Sequence, residues 1–215
     1  WFAEHLLQCA FAGLTQGQLY FNDWDMWWTD DSQAVKNSVL RAVSGGPVYV
    51  SDKAGRTRPE ILRPLCLEDG RLLMCDAPAV PVKDCLLRDP AAGDRAFGVF
   101  SRQKDAVYIA AFNLTGRREA GIYIDPAEYG IEGPSVLYEH FSGTKAEGPL
   151  EFAVRDCALF LLAPVAGGRR CLGIREKYIS TAAVIEGPEG IKPLCPGTLL
   201  WYENGVWREE EAQEG

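Results

Sequence analysis

The sequence predicts an α/β segment followed by an all-β domain, and three observations support this fold class. Helix and strand patterns alternate through the first 66 residues, and short strand patterns follow one another after residue 67. Turns rich in Gly, Pro and Asp separate those later strands. The 47% hydrophobic content is that of an ordinary globular protein with one good-sized or two small domains. We therefore predict two domains, residues 1–66 and residues 67–215.

The first domain contains the elements of a β–α–β unit. In order, these are a helix from Trp1 to about Ala12, a strand at Leu19–Phe21, a helix with Val35, Val39 and Val43 on one stripe, a strand at Pro47–Val50 and a helix opened by Pro59. Asp30, Asp31 and Ser32 are candidate N-caps of the second helix, and Gly45–Gly46 is expected to end it. Strand, helix and strand at this spacing predict neighbouring strands of a parallel sheet.

The second domain is predicted to be an antiparallel β-sandwich. Its strand candidates are residues 71–75, 97–100, 107–114, 121–124, 136–141 and 158–163. Asn204–Gly205 predicts the turn of a hairpin over 199–207, and residues 208–215 are expected to form a frayed, charged tail. Because two parallel strands cannot close a barrel, the simplest architecture is the last strands and helices of a (β/α)8 TIM barrel followed by the sandwich. The chain starts with Trp inside an amphipathic pattern, so we expect it to be the downstream part of a longer protein.

Composition and charge argue against several classes of function. The net charge is −8 with no basic block, so nucleic acid is not an expected partner, and no apolar run approaches the ~20 residues of a membrane span. The seven cysteines show no C-x-x-C spacing, which weakly favours a reducing, cytoplasmic location. His5 and His140 are far apart in sequence, so we expect both to be structural and expect no metal site.

The stretch Asp23-Trp24-Asp25-Met26-Trp27-Trp28 is the strongest candidate site. Carboxylates accept hydrogen bonds from hydroxyl groups, and indole faces cover the C–H patches of a sugar ring, so sugar binding fits this pattern. The alternative is an acidic, aromatic loop packed on the core. In a barrel, Asp23, Asp25 and Asp52 would follow strands, on the edge where active sites lie. For Asp52 the alternative is a turn before Gly55, and Trp201 and Trp207 could form a sugar platform or simply pack across their hairpin.

Two sequence blocks resemble a known family. They are the block Asp23-Trp24-Asp25-Met26 and the later block Gly45-Gly46-Pro47-Val48-Tyr49-Val50-Ser51-Asp52. In this order they are similar to the raffinose synthase and seed imbibition protein group of glycoside hydrolase family 36, which includes alkaline α-galactosidases. Ile61–Leu65, Leu67–Leu73 and Phe112-Asn113 continue the resemblance, which is dense over about 115 residues and faint beyond. Trp27 and Trp28 replace residues usual in plant members, which favours a bacterial-type glycosidase over raffinose synthesis.

The resemblance implies a retaining reaction at α-galactosidic bonds, completed by water or by a sugar hydroxyl and requiring no cofactor. It also implies that the nucleophile and the acid/base lie on earlier strands, so the catalytic residues are unknown for this chain. We expect substrate binding by Asp23, Trp24, Asp25, Trp27 and Asp52, with an oligosaccharide or α-galactoside as partner. The chain alone is expected to be inactive. A non-catalytic carbohydrate-binding or scaffold protein with an incomplete barrel is the alternative.

Overall fold

The computed structural model describes residues 2–213 as three α-helices, fifteen strands and several 3-10 turns. The helices are α1 (Phe2–Thr15), α2 (Ala34–Val43) and α3 (Pro59–Leu62). The strands are β1 (Met26–Trp27), β2 (Tyr49–Val50), β3 (Val80–Pro81), β4 (Phe97–Gln103), β5 (Ala106–Phe112), β6 (Ala120–Ile124), β7 (Ser135–Glu139), β8 (Lys145–Glu147), β9 (Leu150–Val154), β10 (Cys157–Pro164), β11 (Arg169–Ile174), β12 (Val184–Gly187), β13 (Gly190–Pro193), β14 (Gly197–Glu203) and β15 (Val206–Ala212). The molecule is therefore mostly sheet, as predicted.

The α/β segment forms one parallel strand pair joined through α2. In β1 and β2, Met26 lies opposite Tyr49 and Trp27 opposite Val50. A parallel pair needs a crossover connection, and α2 supplies it. The β–α–β unit predicted from sequence is thus present, although each strand is two residues long.

Gly45, two residues after the end of α2, allows a close approach of two loops. It has a φ of +70°, and a Cβ atom there would lie 2.2 Å from the carbonyl oxygen of Ala77. The next glycine, Gly46, would place a Cβ atom 2.1 Å from the carbonyl oxygen of Asn22. Larger side chains would push the loop that precedes β1 away from the end of α2.

A six-stranded antiparallel sheet forms the centre of the molecule, in the order β3–β4–β5–β10–β7–β8. Every residue of β5 is buried, which shows that both faces of the central sheet are covered. On one face the ring of Phe112 contacts Phe2 of α1, with centroids 5.5 Å apart. On the opposite face Phe160 of β10 contacts Phe152 of β9 at 4.7 Å. The helices thus cover one face, and the antiparallel pair β6–β9 covers the other.

The remaining strands form a smaller sheet and a hairpin. Strands β11, β14 and β15 make a three-stranded antiparallel sheet, and β12 pairs with β13. The turn after β11 is tied to the α/β segment, because the N–H of Tyr178 donates to the carbonyl of Pro64 at 3.0 Å. The proposed division at residue 66 stays a prediction, as does the sandwich in its precise form.

Three sequence-based expectations are wrong in detail. Leu19–Phe21 is not a strand, because it finds no pairing partner, and the strand begins instead at Met26, which pairs with β2. Residues 71–75 do not form a strand: they follow a turn at residues 68–70, and a single bridge pairs Leu72 with Cys66. Val35 is 39% exposed, so only Val39 and Val43 of the predicted stripe on α2 are buried.

The expected frayed tail is also wrong over most of its length. The Asn204–Gly205 turn is confirmed, with both residues at positive φ, and it leads into β15. This strand pairs with β14 through Ala212, despite carrying four charged residues in a row. Charged side chains are compatible with an edge strand, where one side faces water. Trp1, Glu214 and Gly215, which belong to the predicted first helix and tail, lie outside the described residues.

Candidate functional site

The acidic loop Asp23–Asp25 lies directly before β1, not after a strand as the sequence suggested. Both aspartates are exposed and the tryptophan between them is buried, which matches the expected alternation. Asp23 Oδ1 accepts from the N–H of Asp25 at 2.8 Å, and Asp25 Oδ1 accepts from the N–H of Met26 at 2.7 Å. Asp25 has a φ of +64°, a conformation uncommon for residues other than Gly. The two carboxylates therefore build a tight turn and also face solvent.

Buried Arg41 of α2 holds this turn from below. One guanidinium nitrogen donates to the carbonyl of Trp24 at 2.7 Å and to that of Asp25 at 3.3 Å. The other donates to Asn37 Oδ1, one helical turn earlier, at 2.7 Å. Burial lowers the pKa of Arg41 to about 10, so the side chain stays charged at neutral pH. Because the buried Arg41 donates hydrogen bonds to the consecutive carbonyls of Trp24 and Asp25, it stabilises the left-handed conformation of Asp25.

His5 of α1 completes this buried anchor. Its Nε2 lies 3.0 Å from the Trp24 carbonyl oxygen and 3.0 Å from the Arg41 guanidinium. Burial and the nearby Arg41 charge lower the pKa of His5, so the ring is neutral at pH 7. The two contacts need opposite tautomers: Nε2 accepts from Arg41 when the ring proton is on Nδ1, and donates to the Trp24 carbonyl when the proton is on Nε2. The structural role expected for His5 therefore fits its surroundings.

Asp52 joins the loop after β1 to the loop after β2. Its Oδ1 accepts from the N–H of Thr29 and its Oδ2 from the Thr29 hydroxyl, both at 2.6 Å. Desolvation by itself would raise the pKa of Asp52, but the hydrogen bonds from Thr29 and Thr57 outweigh it and lower the pKa. The Thr29 hydroxyl also accepts from the N–H of Arg58 at 2.8 Å. Both carboxylate oxygens of Asp52 are thus hydrogen-bonded within the protein and link the two loops. Contact of Asp52 with substrate stays a prediction.

Trp24 and Trp27 are core residues in this structure. Each is 1% exposed, so neither indole presents a face to a ligand. Both rings pack in the core of this structure, and substrate binding by Trp24 and Trp27 stays a prediction. Trp28, one residue further along, is 38% exposed and lies where the chain leaves β1. The indole that the site offers to solvent is therefore Trp28.

Trp28 lines an open cleft of about 500 Å³ between the α/β segment and the central sheet. Polar side chains surround it, namely Asp31, Ser32, Gln33, Lys36, Asn37 and Asn113. An exposed indole among carboxylate, amide and hydroxyl groups matches the chemistry of a sugar, which has apolar ring faces and hydroxyl edges. Sequence reasoning named Trp28 in the motif but placed Trp27 in the site. It also missed Arg41 and Thr29, although Arg41 one helical turn after Asn37 was a readable signal.

The other candidates are structural. Trp201 is covered by the Arg169 guanidinium, 4.2 Å from the ring centroid, and Trp207 packs on Tyr202 with centroids 5.5 Å apart. Packing within the three-stranded sheet β11–β14–β15 thus accounts for both indoles. His140 contacts the rings of Phe141 and Tyr178. Within residues 2–213 no group of three or more metal-ligating side chains is assembled, and none of the helices has the length and apolarity to cross a bilayer.

Comparison with known proteins identifies the family. Residues 1–120 match the family described as raffinose synthase or seed imbibition protein Sip1. The rice (Oryza sativa subsp. japonica) galactinol–sucrose galactosyltransferase is 39% identical over 113 residues, which cover 52% of this chain and 14% of that enzyme. The pea (Pisum sativum) stachyose synthase is 31% identical over 141 residues, covering 65% of this chain and 16% of that enzyme. The chain thus spans about one seventh of the length of these relatives.

A solved structure shares the fold. A protein assigned as an α-N-acetylgalactosaminidase from Bacillus halodurans superposes with a TM-score of 0.51 at 13% identity, covering 76% of this chain and 44% of that one. The family match over residues 1–120 places the chain in a family of carbohydrate-active enzymes. More narrowly, it belongs to the raffinose synthase and seed imbibition protein family, within glycoside hydrolase family 36. The family expected from the two sequence blocks is confirmed.

Proposed function

We propose that this chain forms the substrate-binding edge of an enzyme that hydrolyses or transfers α-galactosyl groups of oligosaccharides by a retaining mechanism. The family match over residues 1–120 carries this proposal. That range contains the acidic turn at Asp23–Asp25 and the Thr29–Asp52 connection. In this proposal the β–α–β unit is the closing part of a (β/α)8 barrel, and the antiparallel sheets follow it as a sandwich domain.

The proposed division of labour follows from the geometry of the edge. Asp23 and Asp25 are exposed and accept hydroxyl hydrogen bonds, while Arg41 keeps their turn in place. Trp28 supplies an apolar face for the galactosyl ring or its neighbour. In this proposal the nucleophile and the acid/base lie on earlier strands, upstream of Trp1. The 113 residues shared with the rice relative cover 14% of that enzyme. The retaining reaction needs two carboxyl groups about 5–5.5 Å apart and no cofactor.

The first test is binding of raffinose to the 215-residue chain, followed by ¹⁵N–¹H NMR. Amide shifts at residues 23–33 are expected, and Trp28→Ala should abolish them because the apolar platform is gone. Tyr123→Ala is the matched control, since Tyr123 is 45% exposed on β6, away from the cleft. Shifts that survive Trp28→Ala would remove this site from the proposal.

The second test is catalysis. The 215-residue chain should not hydrolyse an aryl α-galactoside, since the catalytic pair is proposed to lie elsewhere. Hydrolysis would show that the pair lies within these residues. In the complete enzyme, Asp25→Asn should lower kcat/KM at least about tenfold through loss of one charge-assisted hydrogen bond. Sugar binding combined with unchanged kcat/KM in that variant would favour a non-catalytic, carbohydrate-binding role for this edge. The cytoplasmic location proposed for the protein awaits a localisation experiment.

A further inference from the structure

A second cleft, of about 560 Å³, lies between the α3 region and the three-stranded sheet. One wall comes from the loop after β2 and from the segment that follows α3, with Thr57, Pro59, Leu62, Arg63, Cys66, Leu67, Glu68 and Gly70. The other wall is formed by Glu176, Lys177 and Pro196. This second wall lies beyond residue 120, where the family match ends.

Lys177 forms the fixed base of this cleft. It is 8% exposed, and its Nζ donates to the carbonyl of Arg63 at 2.8 Å and to that of Cys66 at 2.6 Å. The adjacent Tyr178 N–H donates to the carbonyl of Pro64, so the two walls are held together by three hydrogen bonds. The cleft is therefore preformed and does not have to be organised by a ligand.

The charge of Lys177 has no carboxylate partner within 4 Å among the described residues. An ammonium group has three N–H donors, and two of them are used by the carbonyls. The third is available to an oxygen atom of a molecule in the cleft. A buried ammonium group is costly unless its N–H donors are hydrogen-bonded, so a hydroxyl oxygen of a ligand is favoured here as the third acceptor.

The remaining lining selects the chemistry of that ligand. Arg63 and Glu68 are exposed side chains of opposite charge, and Glu176 adds a second carboxylate. Two cations and two anions give no net attraction for phosphate or another small anion. Leu62 and Pro196 provide apolar surface between these polar groups. Donors, acceptors and apolar faces side by side fit a neutral, hydroxyl-rich ligand.

We infer that this cleft is a second saccharide-binding site, distinct from the Trp28 cleft, that holds a neutral oligosaccharide. The choice of a saccharide rests on the proposed function. Thr57 in the cleft wall directly precedes Arg58, whose N–H donates to the Thr29 hydroxyl at 2.8 Å, so the cleft borders the loop that carries the Thr29–Asp52 connection. A long oligosaccharide could then bind with one part in the Trp28 cleft and another part in this second cleft.

The test is an NMR titration of the 215-residue chain with raffinose and, separately, with inorganic phosphate. Raffinose should shift the amides of residues 62–70 and 176–177, and phosphate should not. Arg63→Met and Glu68→Gln each remove one hydrogen-bonding charge from the cleft and should raise the Kd for these shifts about fivefold. The matched controls, Arg118→Met and Glu132→Gln, alter exposed residues outside the cleft and should leave the Kd unchanged.

The outcomes separate this inference from the proposed function. Raffinose shifts confined to residues 23–33 would overturn the second site and leave the first standing. Shifts confined to residues 62–70 and 176–177 would support the second site and count against the first. Phosphate shifts without raffinose shifts in this cleft would show an anion site and overturn the inference. Because Arg63 and Glu68 are exposed, the variants should fold, and unchanged peak dispersion elsewhere in the spectrum checks this.

Discussion

The α/β segment, residues 2–66, differs from the β-rich remainder in two respects. Among the described residues, it has more buried polar atoms without a hydrogen-bond partner, and more large apolar side chains that are exposed. Of seven buried polar side-chain atoms without a hydrogen-bond partner in the described chain, five lie in the α/β segment, on Asn22, Trp24, Trp27 and Arg41. Of eighteen large apolar side chains that are substantially exposed, ten lie there, including Leu19 at 81% and Phe21 at 68%. The central sheet, in contrast, has a strand that is buried along its whole length.

The difference shows which region can stabilise itself. Parallel sheets are normally covered on both faces, yet both residues of β2 are exposed, Tyr49 at 48% and Val50 at 37%. Unpaired buried groups each cost about 1–3 kcal/mol. We therefore expect the β-rich region to set the global stability and the α/β segment to open first.

The largest effect is expected in the β-rich region. Phe160→Ala removes a fully buried ring that contacts Phe152 in the layer between β10 and β9. The cavity should lower the free energy of unfolding by about 3–5 kcal/mol, measured by urea titration with far-UV circular dichroism. Tyr123→Ala, at an exposed position on β6, should change it by less than about 0.5 kcal/mol. Similar losses for both variants would contradict a central core between these layers.

A smaller and local effect is expected from Arg41→Met. The change leaves the carbonyls of Trp24 and Asp25 without their shared donor, at a cost of about 2 kcal/mol. Hydrogen exchange should accelerate in α1 and α2 while β5 and β10 stay protected. Arg118→Met, which alters an exposed arginine, is the control. A variant as stable as the wild type would show that the buried cation gains no more from its hydrogen bonds than it loses in desolvation.

A still smaller effect is expected from Asp52, in the pH dependence of the free energy of unfolding. Its pKa is lowered in the folded state, so its contribution to stability is full above the unfolded value of about 3.9 and is lost as the pH falls through the lower folded value. The free energy of unfolding should therefore fall more steeply between pH 5 and pH 3 in the wild type than in Asp52→Asn. Asp30→Asn, on the loop after β1, is the control. Identical pH profiles for all three proteins would mean that the Thr29–Asp52 connection is not maintained in solution.

The sequence predicted those elements whose conformation is set by their own residues and not by pairing with distant segments. The helix α2, the Gly45–Gly46 stop and the Asn204–Gly205 turn were readable because the residues themselves impose these conformations. The position of β1 was not readable, since it depends on hydrogen bonds to β2, more than twenty residues later. The same holds for β15, whose charged sequence becomes a strand through its pairing with β14. Pairing between distant segments overrides local propensity in both cases.

The candidate site was predictable in its chemistry and less so in its geometry. The alternation that exposes Asp23 and Asp25 and buries Trp24 follows from an extended chain. The positive φ at Asp25 then shifts that alternation, so Trp27 turns inward and Trp28 outward. This shift depends on Arg41, which comes from another element and leaves no local signal in the loop.

The smallest effect on stability is expected from a substitution among the exposed apolar side chains of the α/β segment. Phe21→Ser replaces a ring that is 68% exposed and has lost little contact with water on folding, so the free energy of unfolding should change by less than about 0.5 kcal/mol. Self-association should fall instead, since exposed apolar side chains of neighbouring residues promote contact between molecules. Sedimentation velocity of the wild type and the variant at equal concentration measures this, with Thr15→Ser as a control at another exposed position. If Phe21→Ser cost several kcal/mol, the ring would have to be buried in solution. The α/β segment would then be as complete as the β-rich region, and the contrast between them would fail.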